Sequence, residues 1–236
     1  MVTKTKSEVQ IQDELVVEVP GIEIPEEVND KIQQITKQYK AFLQERTEAY
    51  VQRQQSSMEI QTEATHPILP GYQYWNCLSV GPFQLTGNPN YLPSNIVEAR
   101  QLCMMLGVIW INPADGPGGS LSGTTVLGDR DYRLRFETIN LTDVSNGPDF
   151  TRQDTFDSPA DVITVIPWVF RPEDPGLNPR LFEVNLTVDI RQPGQPLALF
   201  GSWHRDPSTE PGFLDLPTRG PHDQFERPAR FLVYHR

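Results

Sequence analysis

Lysine is missing from most of this chain. Lys4, Lys6, Lys31, Lys37 and Lys40 all lie within the first 40 residues, so beyond them positive charge comes only from arginine and histidine. An excess of cationic charge is also lacking, with 20 Lys and Arg against 31 Asp and Glu and a formal charge of −11. That balance opposes non-specific binding to nucleic acid or to anionic membrane surfaces. There are only two cysteines, Cys77 and Cys103, which excludes a disulfide-stapled scaffold and fits a reducing compartment. Long apolar runs are absent as well. The longest, Cys103 to Ile111, is far short of the ~20 residues that a membrane helix needs, and the residues after Met1 lack the apolar core of a secretory leader. The expectation is a protein without membrane insertion, in the cytoplasm or in a particle assembled there.

Catalytic signatures are equally sparse. Gly118 to Thr125 has the glycine and hydroxyl spacing of a phosphate-binding loop, but Thr124 stands where the phosphates need a lysine. It reads as an ordinary loop. No G-x-S-x-G elbow occurs, and neither cysteine has a sequence context that would activate its thiol. The four histidines, His66, His204, His222 and His235, match no zinc spacing. A metal or acid–base site built from them requires the fold to bring them together. Asp129 with Asp131, and Asp143 with Asp149, offer oxygen ligands in turns, yet neither follows a calcium-loop pattern. Asn140 and Asn185 begin glycosylation-like triplets by chance. Tyr72, Tyr74, Trp75, Trp110, Trp168 and Trp203 are candidates for a sugar-stacking platform, although most such residues belong to a core. No catalytic, cofactor or metal residue is assigned.

What is present is a change of regime near residue 60. The 22 prolines and 16 glycines are concentrated beyond it, with only Pro20, Pro25 and Gly21 before it. Residues 1–24 read as an extended arm, because Val9, Ile11 and the run Leu15 to Val19 partly alternate with polar residues. Residues 25–57 read as one long amphipathic helix. Pro25 suits a first turn, and Glu26 and Glu27 complement the positive end of the helix dipole. Val28, Ile32, Ile35, Tyr39 and Phe42 recur at heptad spacing, and the register continues to Ala49. That seam is the candidate partner-binding surface: a copy of itself, another protein, or the chain's own β domain is expected to cover it.

Residues 58–71 read as a linker, and 72–236 as an antiparallel β-sandwich or jelly-roll-like body. Strands are expected at Tyr72–Val80, Gly107–Ile111, Tyr132–Leu141, Val162–Phe170, Leu181–Ile190, Leu197–Trp203 and Arg230–Tyr234. One short helix is expected near residues 94–106. The clearest strand, Leu181 to Ile190, alternates strictly, with Glu183, Asn185, Thr187 and Asp189 predicted to face water.

These features together favour a non-enzymatic structural or adaptor subunit of a multi-protein assembly, whose arm and helix contact neighbouring subunits. The arrangement of arm, helix and proline-rich β body looks like structural subunits of phage particles and contractile tail-like machines. The similarity is architectural and rests on no motif. The alternatives are a carbohydrate-binding β-sandwich on an oligomerising helix, and a hydrolase or cupin-like metal enzyme.

Overall fold

The computed structural model of the protein describes residues 22–61, 74–89, 91–116, 120–192, 195–201 and 229–235. Most of the expected arm and linker lies outside these residues. Helix α1 spans Glu26–Gln61, four residues beyond the expected end. The Pro25 carbonyl accepts hydrogen bonds from the Val28 and Asn29 amides, at 2.9 and 3.0 Å, and so satisfies amides that a helix start leaves unpaired. Among the described residues ten strands follow: β1 (Trp75–Gln84), β2 (Ile96–Glu98), β3 (Cys103–Ile111), β4 (Asp131–Asn140), β5 (Ser145–Asn146), β6 (Phe150–Thr155), β7 (Ile163–Phe170), β8 (Arg180–Gln192), β9 (Gln195–Gly201) and β10 (Ala229–Tyr234). A short helix, α2 (Gly123–Leu127), lies between β3 and β4.

The chain is mainly β, and its strands form two sheets. The smaller has the order β1-β3-β7 and is antiparallel throughout. In the larger, β8 is central. One edge of β8 pairs with β4, while the other is shared between β10 and β9. In turn β4 carries β6 and β5 on its far edge, and β2 adds to β10 as a parallel strand. β8 and β9, both expected as strands, pair antiparallel. β2, β5 and β6 were not expected: β2 and β5 are short, and β6 is polar after Phe150.

The helix expected near residues 94–106 is not formed; those residues make β2 and the start of β3. The reason lies in the small sheet, which is buried on both faces. Cys103, Met105, Ile109 and Ile111 point into the sandwich, while Met104, Leu106, Val108 and Trp110 point the opposite way. A strand covered on both sides has no apolar–polar alternation to reveal its period, and over so short a run it resembles a helix. Gly107 sits on the inner face, where a Cβ would come within 2.7 Å of Leu134 on the facing sheet.

Helix α1 covers the outer face of the small sheet, giving three layers: helix, small sheet, large sheet. Ile32, Ile35 and Leu43 are buried against Val80, Phe83, Met104 and their neighbours. Each such side chain contributes about 1.5–3 kcal/mol when fully buried. Tyr39 meets Phe83 edge-on at 5.4 Å, and Lys40 bridges to Asp161 at 3.2 Å.

The outward face of β8 is less wet than its alternation predicts. Thr187 and Asp189 are buried, at 2% and 8% exposure. Arg133 Nε donates to Asp189 Oδ2 at 2.9 Å, and the Arg135 guanidinium stands 3.8 Å from the same oxygen. The carboxylate is thus withdrawn from solvent beneath two arginines.

Candidate functional site

The predicted helix seam divides. Ile32 and Ile35 are buried in the contact with the small sheet, and Val28, Tyr39 and Phe42 are half-buried against it. Ala49 is exposed. The buried stripe instead leaves the heptad register through Leu43, Thr47 and Val51. Each step of four after Tyr39 overshoots a full turn by about 40°, so the buried stripe winds around α1 away from the heptad positions. The seam's apolar half is therefore covered by this chain's own β body.

Most sequence-level candidates for chemistry have structural roles. The loop containing Gly118 to Thr125 is not simply irregular: the Ser122 side chain accepts from the Thr125 amide and caps α2. A Cβ on Gly123 would lie 2.3 Å from the Tyr74 carbonyl oxygen, so the glycine permits a close backbone approach. Cys77 and Cys103 are free and buried. Burial, with the Glu98 carboxylate adding, pushes the Cys103 thiol far above its ordinary range, which suppresses the nucleophilic thiolate. Trp75, Trp110 and Trp168 are core residues, and Tyr74 alone of the described aromatic candidates is exposed. His66, His204, His222, Tyr72 and Trp203 lie outside the described residues. Asp131 accepts from Thr155 Oγ1 at 2.8 Å. Among the described residues, no group of three or more His, Cys, Asp or Glu side chains is placed to hold a metal ion.

One end of the sandwich has a different character. The turn after β4 and the connection from β7 to β8 enclose a cavity of about 510 Å³. Its floor is aromatic: Phe182 stacks on Phe231 at 5.5 Å, and Phe170 lies 5.7 Å from Phe231. Those rings continue an aromatic row through Trp168 and Phe136 into the core.

The cavity walls are tied by polar contacts. Asn140 Oδ1 accepts from the Thr142 and Asp143 amides, and its Nδ2 donates to Asp143 Oδ2 at 3.0 Å. Arg180 Nε stands 3.2 Å from that same carboxylate oxygen. Asp149 Oδ1 accepts from the Thr138 amide. Both acidic residues of this suggested calcium turn are thus engaged within the fold. Next along the chain from the lining residue Glu173, Asp174 holds the Gly176 amide at 2.8 Å, Arg100 at 2.8 Å and His235 Nδ1 at 3.2 Å. The Gly176 amide foremost, then His235 and Arg100, keeps the Asp174 carboxyl below its usual range. This is the environment of the one described histidine.

Two exposed aliphatic residues lie in the same chain segments as lining residues. Val144 lies between the lining residues Asp143 and Ser145, 86% exposed and at a φ of 52°. A β-branched residue strongly disfavours that backbone region. Leu177, fully exposed, lies between the lining residues Glu173 and Arg180. Arg171 lines this cavity and also a neighbouring one formed with Ile22, Glu23 and Pro25. The start of the described chain therefore lies beside the cavity. Apart from Asp143 and His235, sequence reasoning missed these residues: the phenylalanines sit in separate strands, and loop residues such as Val144 and Leu177 carry no periodic signal.

The cavity combines an apolar floor with lining side chains of both charges, Asp143 and Glu173 beside Arg171 and Arg180. No family model and no curated protein matches the chain. Among solved structures, the chain is similar to the CARDB domain of a Pyrococcus furiosus protein in complex with di-metal ions, at 8% identity over 73% of this chain and 100% of that one, with a TM-score of 0.28.

Proposed function

We propose that the chain is a non-enzymatic structural or adaptor subunit of a multi-protein assembly, joined to its neighbours through the arm that precedes Ile22. A phage-particle or contractile tail-like machine is the setting suggested by its architecture. The observation that carries this reading is the docking of α1. From Ile32 to Thr47 its buried stripe lies on the chain's own small sheet, which makes the helix a layer of the body and leaves the arm as the element available to neighbours. The arm's residues 8–19 include Val9, Ile11, Leu15, Val16, Val17 and Val19. Such an apolar, partly alternating segment suits strand addition or groove docking on another subunit.

The burial of Trp75, Trp110 and Trp168 weighs against the carbohydrate-platform alternative. Light scattering on the full chain and on a chain lacking residues 1–21 tests the proposal. The expected result is an oligomer that becomes a folded monomer when the arm is removed. An oligomer of unchanged size without the arm, or a full-length monomer at all concentrations, contradicts it.

A further inference from the structure

We infer that the free edge of β6 recognises itself: it adds antiparallel to β6 of a second copy about a two-fold axis, with Gln153 opposite Gln153 and Arg152 opposite Asp154. This contact is separate from the arm and goes beyond it.

The edge is open. Sheet edges carry unpaired backbone groups, and folded chains cover, shorten or charge them. Both edge strands of the small sheet are closed in, since β1 is buried throughout and β7 is buried apart from Thr164. In the large sheet, β2 and β5 have only three and two residues. β6 differs from all of these. Among the described residues it pairs with β4 alone, and Thr151, Arg152, Gln153, Asp154 and Thr155 are all exposed. Arg152 and Asp154 lie on the same side of the sheet as their β4 partners Leu134 and Tyr132, which belong to the core, yet their side chains remain 56% and 47% exposed. The small sheet thus stops short of β6, whose inner side is open as well as its edge.

The backbone phase of β6 fixes which residues a new strand meets. The Phe156 amide donates to the Arg130 carbonyl at 3.0 Å, and opposite residues in an antiparallel ladder alternate between hydrogen-bonded and non-hydrogen-bonded pairs. The amides of Arg152 and Asp154 therefore point at β4, and those of Thr151, Gln153 and Thr155 point away from it. The Thr155 amide donates to the neighbouring Asp154 Oδ1 at 3.0 Å, as suits an amide with no strand beside it. An added antiparallel strand must set outward-pointing residues opposite outward-pointing ones.

Charge then selects the partner and the register. Arg152 Nη2 donates to Asp154 Oδ2 at 2.8 Å within the strand. Inward-pointing charges guard an edge when an added strand would leave them unmatched. A two-fold axis through Gln153 instead brings Arg152 of each copy opposite Asp154 of the other, in the non-hydrogen-bonded position where side chains stand closest. Thr151 then faces Thr155, and Gln153 faces itself. Moving the axis one residue either way sets Arg152 against Arg152 or Asp154 against Asp154, and like charges directly opposite repel. The edge admits a second copy of itself in one register and resists the neighbouring ones. Such a contact is closed and self-complementary. A six-residue strand buries little beside the ~1,200 Å² of a stable interface, so the pairing is weak alone and fills where other contacts hold copies close together.

The test is disulfide trapping in the full chain under a mild oxidant. Cys77 and Cys103 are buried and leave the readout to one introduced thiol. Gln153→Cys places two thiols on residues about 5.5 Å apart between Cα atoms, within disulfide reach. The expected result is a linked dimer that forms at least tenfold faster from Gln153→Cys than from Thr151→Cys or Thr155→Cys alone, while a mixture of the last two gives the mixed dimer. Adding Arg152→Asp to Gln153→Cys should slow linkage at least tenfold, and adding Asp154→Arg as well should recover most of the loss. These positions are exposed, so circular dichroism should be unchanged. Equal rates at the three positions, or self-linkage fastest at Thr151→Cys or Thr155→Cys, overturns the register and with it the inference. No linkage in a chain that light scattering shows to be oligomeric overturns the pairing and leaves the proposed function standing. Gln153→Cys linkage that persists without residues 1–21 supports the pairing and counts against the arm as the joint.

Discussion

Thr47, in the middle of α1, accepts a hydrogen bond from the indole Nε1–H of Trp110 on β3 at 3.1 Å, and both residues are buried. The Thr47 hydroxyl donates in turn to the Leu43 carbonyl at 2.8 Å. This relay joins helix to sheet at the point where the apolar seam gives way to polar residues, and it fixes the register in which α1 lies on the small sheet. Replacing Thr47 with valine keeps the shape but leaves a buried indole donor without this acceptor. The expected cost is about 1–3 kcal/mol, read as a lower denaturant midpoint with an unchanged slope, and Thr47→Ser should retain most of the stability.

The two registers of α1 make opposite demands on Ile35 and Ala49. Both belong to the heptad pattern, but only Ile35 is buried. Ile35→Ala should cost about 2–5 kcal/mol, whereas Ala49→Gln should fall within about 0.5 kcal/mol of the parent. Chemical denaturation of both variants checks this. Equal losses at the two positions would restore the heptad seam as the functional surface.

Much of this fold is legible in the sequence, and the exceptions share a cause. The alternation Phe182, Val184, Leu186, Val188 and Ile190 marks β8 because one side packs inward and the other is polar. The run from Cys103 to Ile111 conceals β3 because α1 covers its second face, and that information lies some sixty residues away in the chain. The site is harder still to see. Phe170, Phe182 and Phe231 meet only through the pairing of β10 with β8 and the packing of the two sheets against each other, so no local pattern joins them.

Gly123 should tolerate no side chain. A Cβ there would approach the Tyr74 and Asn112 carbonyl oxygens at 2.3 and 2.9 Å, and backbone yields less readily than a flexible side chain. Gly123→Ala is expected to destabilise by about 1–3 kcal/mol, although alanine favours a helix over glycine by about 1 kcal/mol. A thermal melt of the variant gives the sign.

The buried thiols should be silent until the chain opens. In native buffer near pH 8, Cys77 and Cys103 are expected to resist a disulfide-exchange reagent, and both should react promptly in denaturant. Rapid native reaction of Cys103 would contradict the burial that holds its thiol protonated.

Tyr132 offers a pH-dependent check. Burial foremost, with Asp154 adding, pushes its phenol up to about 12, against about 10 for an unperturbed tyrosine. The folded state therefore holds a proton that the unfolded state releases, and the associated stability is full below about pH 10 and lost as pH rises towards 12. The difference between parent and Tyr132→Phe ultraviolet titrations should show one phenol ionising late. Stability should fall more steeply in the parent across that window.

The central claim is that α1 is a layer of the β body, not an interface between copies. Hydrogen–deuterium exchange of the full chain over a wide dilution series tests it most directly. Amides of residues 32–47 should exchange as slowly as those of β3 at every concentration, because their protection arises within one chain. Protection in that segment that fades on dilution while β3 stays protected would contradict the claim and make the helix the assembling element.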